Sequence, residues 1–214
     1  MTEHKTIKAE DVTCESSSSS QYFQNFNSKT YHFYLSGDIK SPDNYIEWFQ
    51  IISSASEQDH IFLHINSYGG DMFTAIQFLK VMSETKASII TSVEGMCFSA
   101  ATLLFLAGTE MHICDHSMFM FHNYSGGTYG KGGEMFEQVI HGRKWSEHLF
   151  KETYKDFLTD DEINGIIDNK DIWMTAEEVT NRLSKKYQKI RKDVISQLKG
   201  EKKKNAKKAK FVKS

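Results

Sequence analysis

A chain of 214 residues with 39% apolar and 13% aromatic content is long enough to bury one sizeable core, which excludes a disordered tail protein. Its apolar runs are too short and interrupted to span a bilayer, and the start MTEHKTIKAEDVTCESSSSS lacks the apolar segment of a signal peptide, so the expected location is the cytoplasm. Of the 26 basic and 28 acidic residues, 13 and 2 respectively lie from Lys185 onward, leaving 13 against 26 before it: an acidic body carries a basic tail.

Cys14, Cys97 and Cys114 are odd in number and far apart, which supports neither a disulfide framework nor a CxxC metal site. Residues 1–29, with the serine run 16–20, read as a flexible lead-in. Tyr31 opens a new pattern. YHFYLSG alternates as a strand, and Ser41 as N-cap with Pro42 at the first helical position introduces the helical spacing of DNYIEWFQIISSAS. HIFLHINS is a second strand. DMFTAIQFLKVMSET sets Met72, Ala75, Ile76, Leu79, Val81 and Met82 mostly on one face and reads as an amphipathic helix.

ASIITSVEG and MHICDHSMFMFH are further strands by their β-branched and aromatic content. A Gly-rich link then leads to a long helix from Glu134 to about Phe157, whose many apolar residues exceed what one core stripe requires and point to a subunit interface. Two shorter helices follow, opened by capping boxes of Thr159 with Glu162 and Thr175 with Glu178. Strands alternating with helices predict βαβ units around a mostly parallel sheet, an α/β fold. The domain extends over 30–184, and 185–214 is a tail with only Tyr187 and Phe211 for base stacking, so nucleic acid is not the expected partner.

Three loops carry polar chemistry. INSYGGD ends a strand with adjacent glycines whose backbone N–H groups are free to face an oxyanion. Ser99, in VEGMCFSAATLLFLAG, stands at a strand-to-helix junction where the N–H of Ala100 would lie beside an attacked carbonyl. His122 ends the strand in MFMFHNYSGG. Loops leaving the C-terminal ends of parallel strands converge, so serine, histidine and glycine N–H groups are expected in one cleft. Such a pair needs a carboxylate. Asp171, in NKDIWMTAEE, is the choice over Asp160, Asp161 and Asp168, because the Ile172–Trp173 pair after it is expected to bury it against the body.

Two rival sites weigh less. SGGTYGKGG misses the phosphate-loop pattern at Ser125 and Gly132 and reads as a flexible strand or hinge. In HICDH, strand alternation would set His112, Cys114 and His116 on one face with no further ligand in view, so no metal is expected.

The segments FYLSGDI, HINSYGGDMFTAIQFLKVM, SVEGMCFSAATLLFLAG, SMFMFHNYSGG and DIWMTAEEV, spread over about residues 31–183, resemble in order and spacing those of the ClpP-like serine peptidases, the proteolytic subunits of the Clp protease. The glycine four residues before the serine, Gly95, also fits. The resemblance implies a ClpP/crotonase-type fold of repeated ββα-like units with a long handle helix. It implies Ser99 as nucleophile, His122 as general base, Asp171 as orienting acid, and the N–H groups of Gly70 and Ala100 as the oxyanion hole, with no cofactor. Polypeptide substrates, stacked rings of identical subunits and an AAA+ unfoldase partner are implied as well. Tyr68 and Tyr124 stand where the family usually has proline, Phe98 where it has a small residue, and Ala100 where methionine is common. These departures bear on the substrate groove and leave the three catalytic types in place. The alternative is a ring subunit of altered chemistry, or an acyl-thioester enzyme that shares the oxyanion hole and needs no Ser-His-Asp set.

Overall fold

The alternation of apolar and polar residues that opens at Tyr31 becomes β1, Thr30–Ile39, which buries Phe33, Leu35 and Ile39. The computed structural model describes residues 28–188 together with 191 and 192; most of the 1–29 lead-in and most of the basic tail lie outside the described residues. Pro42–Tyr45 forms a 3-10 turn ahead of α1, Ile46–Ser54. The Ser41 hydroxyl caps no backbone N–H there; it accepts from the Asn44 amide at 3.1 Å, so the regular helix starts later than expected.

β2, His60–Gly70, runs beside β1, and α2, Met72–Glu84, starts at once, with the Asp71 carboxylate accepting the Thr74 N–H at 2.7 Å. β3, Ser88–Phe98, leads through Ser99 into α3, Ala100–Leu106. Ala100, Ala101, Leu103, Leu104 and Phe105 are all fully buried, which is why α3 is apolar apart from Thr102 and contains no charge. With β5 at Met118–Phe121 and β6 at Ile172–Thr175, the sheet order is β1-β2-β3-β5-β6, parallel except for β6, with α3 packed on β2 and β3 and with α2 beside it. This is the mixed α/β architecture with a mostly parallel sheet that the sequence predicts.

The run MHICDHSMFMFH is two strands rather than one: β4, Glu110–Ile113, and β5, Met118–Phe121, both parallel to β3. The cause lies in β3. Ile65 pairs with Val93 and Ser67 with Cys97, so three residues of β3 oppose the single Asn66 of β2. The bulge is held by the Asn66 side chain, whose Oδ1 accepts the Met96 N–H at 3.1 Å, and a Cβ on Gly95 would stand 2.7 Å from that oxygen. β4 pairs with β3 before the bulge and β5 after it, and the chain turns between them through Cys114–Ser117 with His116 at φ 68°. Strand alternation therefore does not extend to Cys114 and His116, and among the described residues no three His, Cys, Asp or Glu side chains are grouped to hold a metal ion.

α4, Gly132–Tyr154, buries only its second half, through Ser146, Phe150 and Tyr154, while Phe136 and Val139 of its first half are exposed. Both capping boxes form: Thr159 with Glu162 opens α5, Asp160–Ile167, and Thr175 with Glu178 closes β6, Ile172–Thr175, into a helix over 176–188. Among the described residues no helix is long and apolar enough to cross a membrane.

Candidate active site

Successive strand residues face opposite sides of a sheet, so Ser99 should follow Cys97 onto the buried face. It does not, because its backbone sits at φ 54°, ψ −129°. A non-glycine residue in this region is strained, and the reversal turns its side chain away from the core into a cleft of about 920 Å³ at the C-terminal strand ends. The turn is clamped on both sides. The Ser99 N–H donates to the Met120 carbonyl at 2.8 Å, and the Ser99 carbonyl accepts from the Thr102 N–H at 2.9 Å and the Thr102 hydroxyl at 2.7 Å. Since that hydroxyl spends its proton on Ser99, the buried Tyr154 hydroxyl 2.7 Å away donates to it in turn. Burial holds the Tyr154 phenol well above its ordinary range, so it remains a donor.

Space for the strained turn comes from Gly69. Its φ is +90°, and a Cβ there would lie 2.7 Å from the Ser99 Cβ and 2.7 Å from the Phe98 carbonyl oxygen. The Gly69 N–H donates to the buried Ser67 hydroxyl at 3.1 Å, and that hydroxyl donates to the Gly37 carbonyl at 2.6 Å. Gly70, at φ +144°, is the member of the pair that remains exposed at the cleft.

The strand registers place the remaining candidates. Phe98 pairs with Met120 and Met120 with Trp173, so the β5–β6 pairing runs toward His122 on one side and Asp171 on the other. Ser99, His122 and Gly70 line one cleft, and Ala100 opens α3 directly behind the serine. His122 stands opposite Asp171 when the antiparallel β5–β6 register is carried one residue past its last pair, Phe121 with Ile172. Asn123 ties the two loops together, donating to the Ile167 carbonyl at 3.2 Å and to Asn169 Oδ1 at 3.1 Å.

Asp171 departs from expectation in its environment. Trp173 and Asp171 share the solvent face of β6, so Asp171 is exposed rather than buried, and among the described residues its carboxylate takes part in no hydrogen bond or ion pair. Nor does the His122 ring hydrogen-bond to Ser99 in the single chain. The arrangement still offers a serine on a strained turn, an imidazole in the same cleft, a carboxylate on the facing strand, and backbone N–H groups at a helix start and a glycine pair. These are the parts that acyl transfer requires.

The opposite wall of the cleft was not legible as part of a site. Val139, Gly142 and Trp145 of α4 form it with Tyr124 and Phe73, whose rings meet Trp145 at 5.8 and 5.5 Å. The only local signal was the surplus of apolar residues on that helix.

A sequence model of the Clp protease family matches residues 19–182. Among curated relatives, the ATP-dependent Clp protease proteolytic subunit of Bacteroides thetaiotaomicron is 26% identical over 129 residues, 59% of each chain. The ATP-dependent Clp protease proteolytic subunit 1 of Shouchella clausii is 29% identical over 136 residues, 59% of this chain and 67% of that one. The proteolytic subunit of Streptococcus gordonii is 28% identical over 127 residues, 55% of this chain and 62% of that one. The chain thus spans about six tenths of the length of the curated relatives it matches. With a match covering most of the chain, a mostly parallel α/β sheet and a serine at the strand-to-helix turn, the chain belongs to the Clp protease family.

Proposed function

We propose that the chain is a serine endopeptidase that hydrolyses peptide bonds of unfolded polypeptides or peptides. Ser99 Oγ attacks the scissile carbonyl while His122 takes its proton, and the imidazolium then protonates the leaving amine, leaving an acyl ester on Ser99. Water, deprotonated by the same imidazole, releases the acid and restores the serine. Asp171 orients the imidazole and stabilises its charge. The N–H groups of Gly70 and Ala100 receive the oxyanion; the engagement of the Gly69 N–H by Ser67 supports Gly70 over its neighbour.

The observation that carries this reading is the positive-φ turn at Ser99, which presents one hydroxyl to a cleft shared with His122. A homo-oligomer of stacked rings, an AAA+ unfoldase partner and a cytoplasmic location belong to the same proposal. The exposed, unbonded Asp171 carboxylate favours a second reading, a ring subunit whose hydrolytic chemistry is altered. A fluorophosphonate probe followed by peptide mapping separates the two: modification of Ser99, absent in Ser99→Ala, supports the peptidase, and a native chain that is not modified refutes it.

A further inference from the structure

Strand pairing between β5 and β6 stops one residue short of both the imidazole and the carboxylate, since its last pair is Phe121 with Ile172. Past that pair the spacing of His122 and Asp171 must be fixed by other bonds. Among the described residues, the link between the two arms comes from the Asn123 side chain, which donates to the Ile167 carbonyl at 3.2 Å and to Asn169 Oδ1 at 3.1 Å. His122 on one arm, and Lys170 with Asp171 on the other, are thus enclosed between two cross-links: the Phe121–Ile172 pair and the Asn123 amide.

The end of α5 explains why an amide stands there. Asn169 turns the chain out of the helix at φ 68°, with its N–H donating to the Ile166 carbonyl at 2.9 Å and the Lys170 N–H donating to the Gly165 carbonyl at 2.8 Å. This closure occupies two of the last carbonyls and leaves the next one, on Ile167, to a partner outside the helix. One N–H of the Asn123 amide meets that need and the other reaches the Asn169 side chain. The Asn123 Oδ1 accepts the Tyr124 N–H at 2.9 Å, which fixes the end of the amide that faces α5. Asn123 itself does not line the cleft that its neighbours His122 and Tyr124 line.

We propose that Asn123 is a positioning residue: by capping the C-terminal end of α5 it holds Asp171 at the distance from His122 at which the carboxylate orients the imidazole. The inference rests on the peptidase reading, since it takes His122 as base and Asp171 as acid. Asn169 is the receiving half of the device, its left-handed backbone turning the chain toward β6 and its side chain taking the Asn123 amide. Because the Asp171 side chain is exposed and unbonded, its placement depends on the backbone that these bonds hold.

The test compares rates of fluorophosphonate labelling of Ser99 on the full-length chain, with Asp171 intact and in an Asp171→Asn background. Asn123→Ala slows labelling about tenfold to a hundredfold, and Asn169→Gly, which keeps the left-handed turn and removes only the acceptor, slows it about fivefold or more. Turnover of a short fluorogenic peptide shows the loss in kcat, with KM within about twofold of the native value. In the Asp171→Asn background no acid is left to place, so Asn123→Ala changes labelling by less than about twofold. A merely structural role would carry its full loss into that background. Labelling of both variants at the native rate overturns the proposal, and so does a loss of equal size in the two backgrounds. Should Asn123→Ala fail to fold, Asn169→Gly decides by the same two comparisons. A native chain that is not labelled refutes the peptidase reading and the positioning role with it, whereas a labelled native chain with unaffected variants refutes the positioning role alone.

Discussion

Gly69 shows how little room the candidate nucleophile has. A methyl group there meets both the Ser99 Cβ and the Phe98 carbonyl at 2.7 Å, and the φ of +90° is itself costly for any L side chain. Gly69→Ala is expected to destabilise the chain by about 1–3 kcal/mol and to slow fluorophosphonate labelling of Ser99 by more than tenfold, read by urea unfolding and by labelling kinetics. The same substitution at Gly126, whose added Cβ meets nothing within 4 Å, serves as the control for stability. The three polar candidates separate by kinetics instead. Ser99→Ala abolishes the acyl-enzyme, and His122→Ala is nearly as damaging because such residues act as a unit. Asp171→Asn lowers turnover of a short fluorogenic peptide by two to four orders of magnitude, while thermal melting of all three variants stays close to the native chain. Full turnover by a folded Ser99→Ala protein contradicts the mechanism.

Helix α5 is held to the helix over 176–188 by polar contacts that the capping pattern only half announces. Glu162 completes the capping box with Thr159 and also receives both guanidinium nitrogens of Arg182, at 2.6 and 2.8 Å, across from the helix over 176–188. Arg182, followed by the Thr159 N–H and hydroxyl, outweighs partial burial and holds the Glu162 carboxyl down at about 2, against an ordinary value of 4.5. A depressed carboxylate stabilises the fold above its unfolded value and loses that contribution as pH falls from about 5 toward 2. Glu162→Gln is therefore expected to cost about 1–2 kcal/mol at pH 7, after allowance for the solvent that reaches the pair, and only about a quarter of that near pH 2.5. Urea titrations at the two pH values check this; an unchanged difference between native and variant argues against the ion pair as its source.

At the scale of the whole molecule, the first half of α4 presents exposed apolar side chains among the described residues. Phe136 is 63% and Val139 57% exposed, whereas Phe150 and Tyr154 further along are buried in the core. The apolar surplus of this helix is thus divided between the core, the cleft wall that Val139 joins, and the exposed Phe136 ring. If the chain assembles into rings through this helix, Phe136→Asp yields smaller particles by light scattering at micromolar concentration, with the circular dichroism spectrum of the native chain. A native chain that is monomeric under these conditions removes the assembly reading.

The alternation of strands and helices and both capping boxes were legible because each rests on short-range physics; Ser99, His122 and Asp171 were singled out by residue type at loop positions, and Gly70 by the family resemblance alone. The interruption of MHICDHSMFMFH was not legible: it follows from two extra residues in β3, which Asn66 of a different strand accommodates. Nor was the exposure of Asp171, since its burial depended on which face of β6 turned inward, and Met174 rather than Trp173 took that face. The direction of the Ser99 side chain was set by one positive φ angle that Gly69, 30 residues away, makes possible. Tyr68 and Phe98 were legible as departures that bear on the substrate groove, whereas Met120 and Trp173 join Phe98 in one row only through strand pairing. Local propensity and spacing are written along the chain; register is decided by pairing between distant segments, where a shift of one residue turns every side chain to the opposite face.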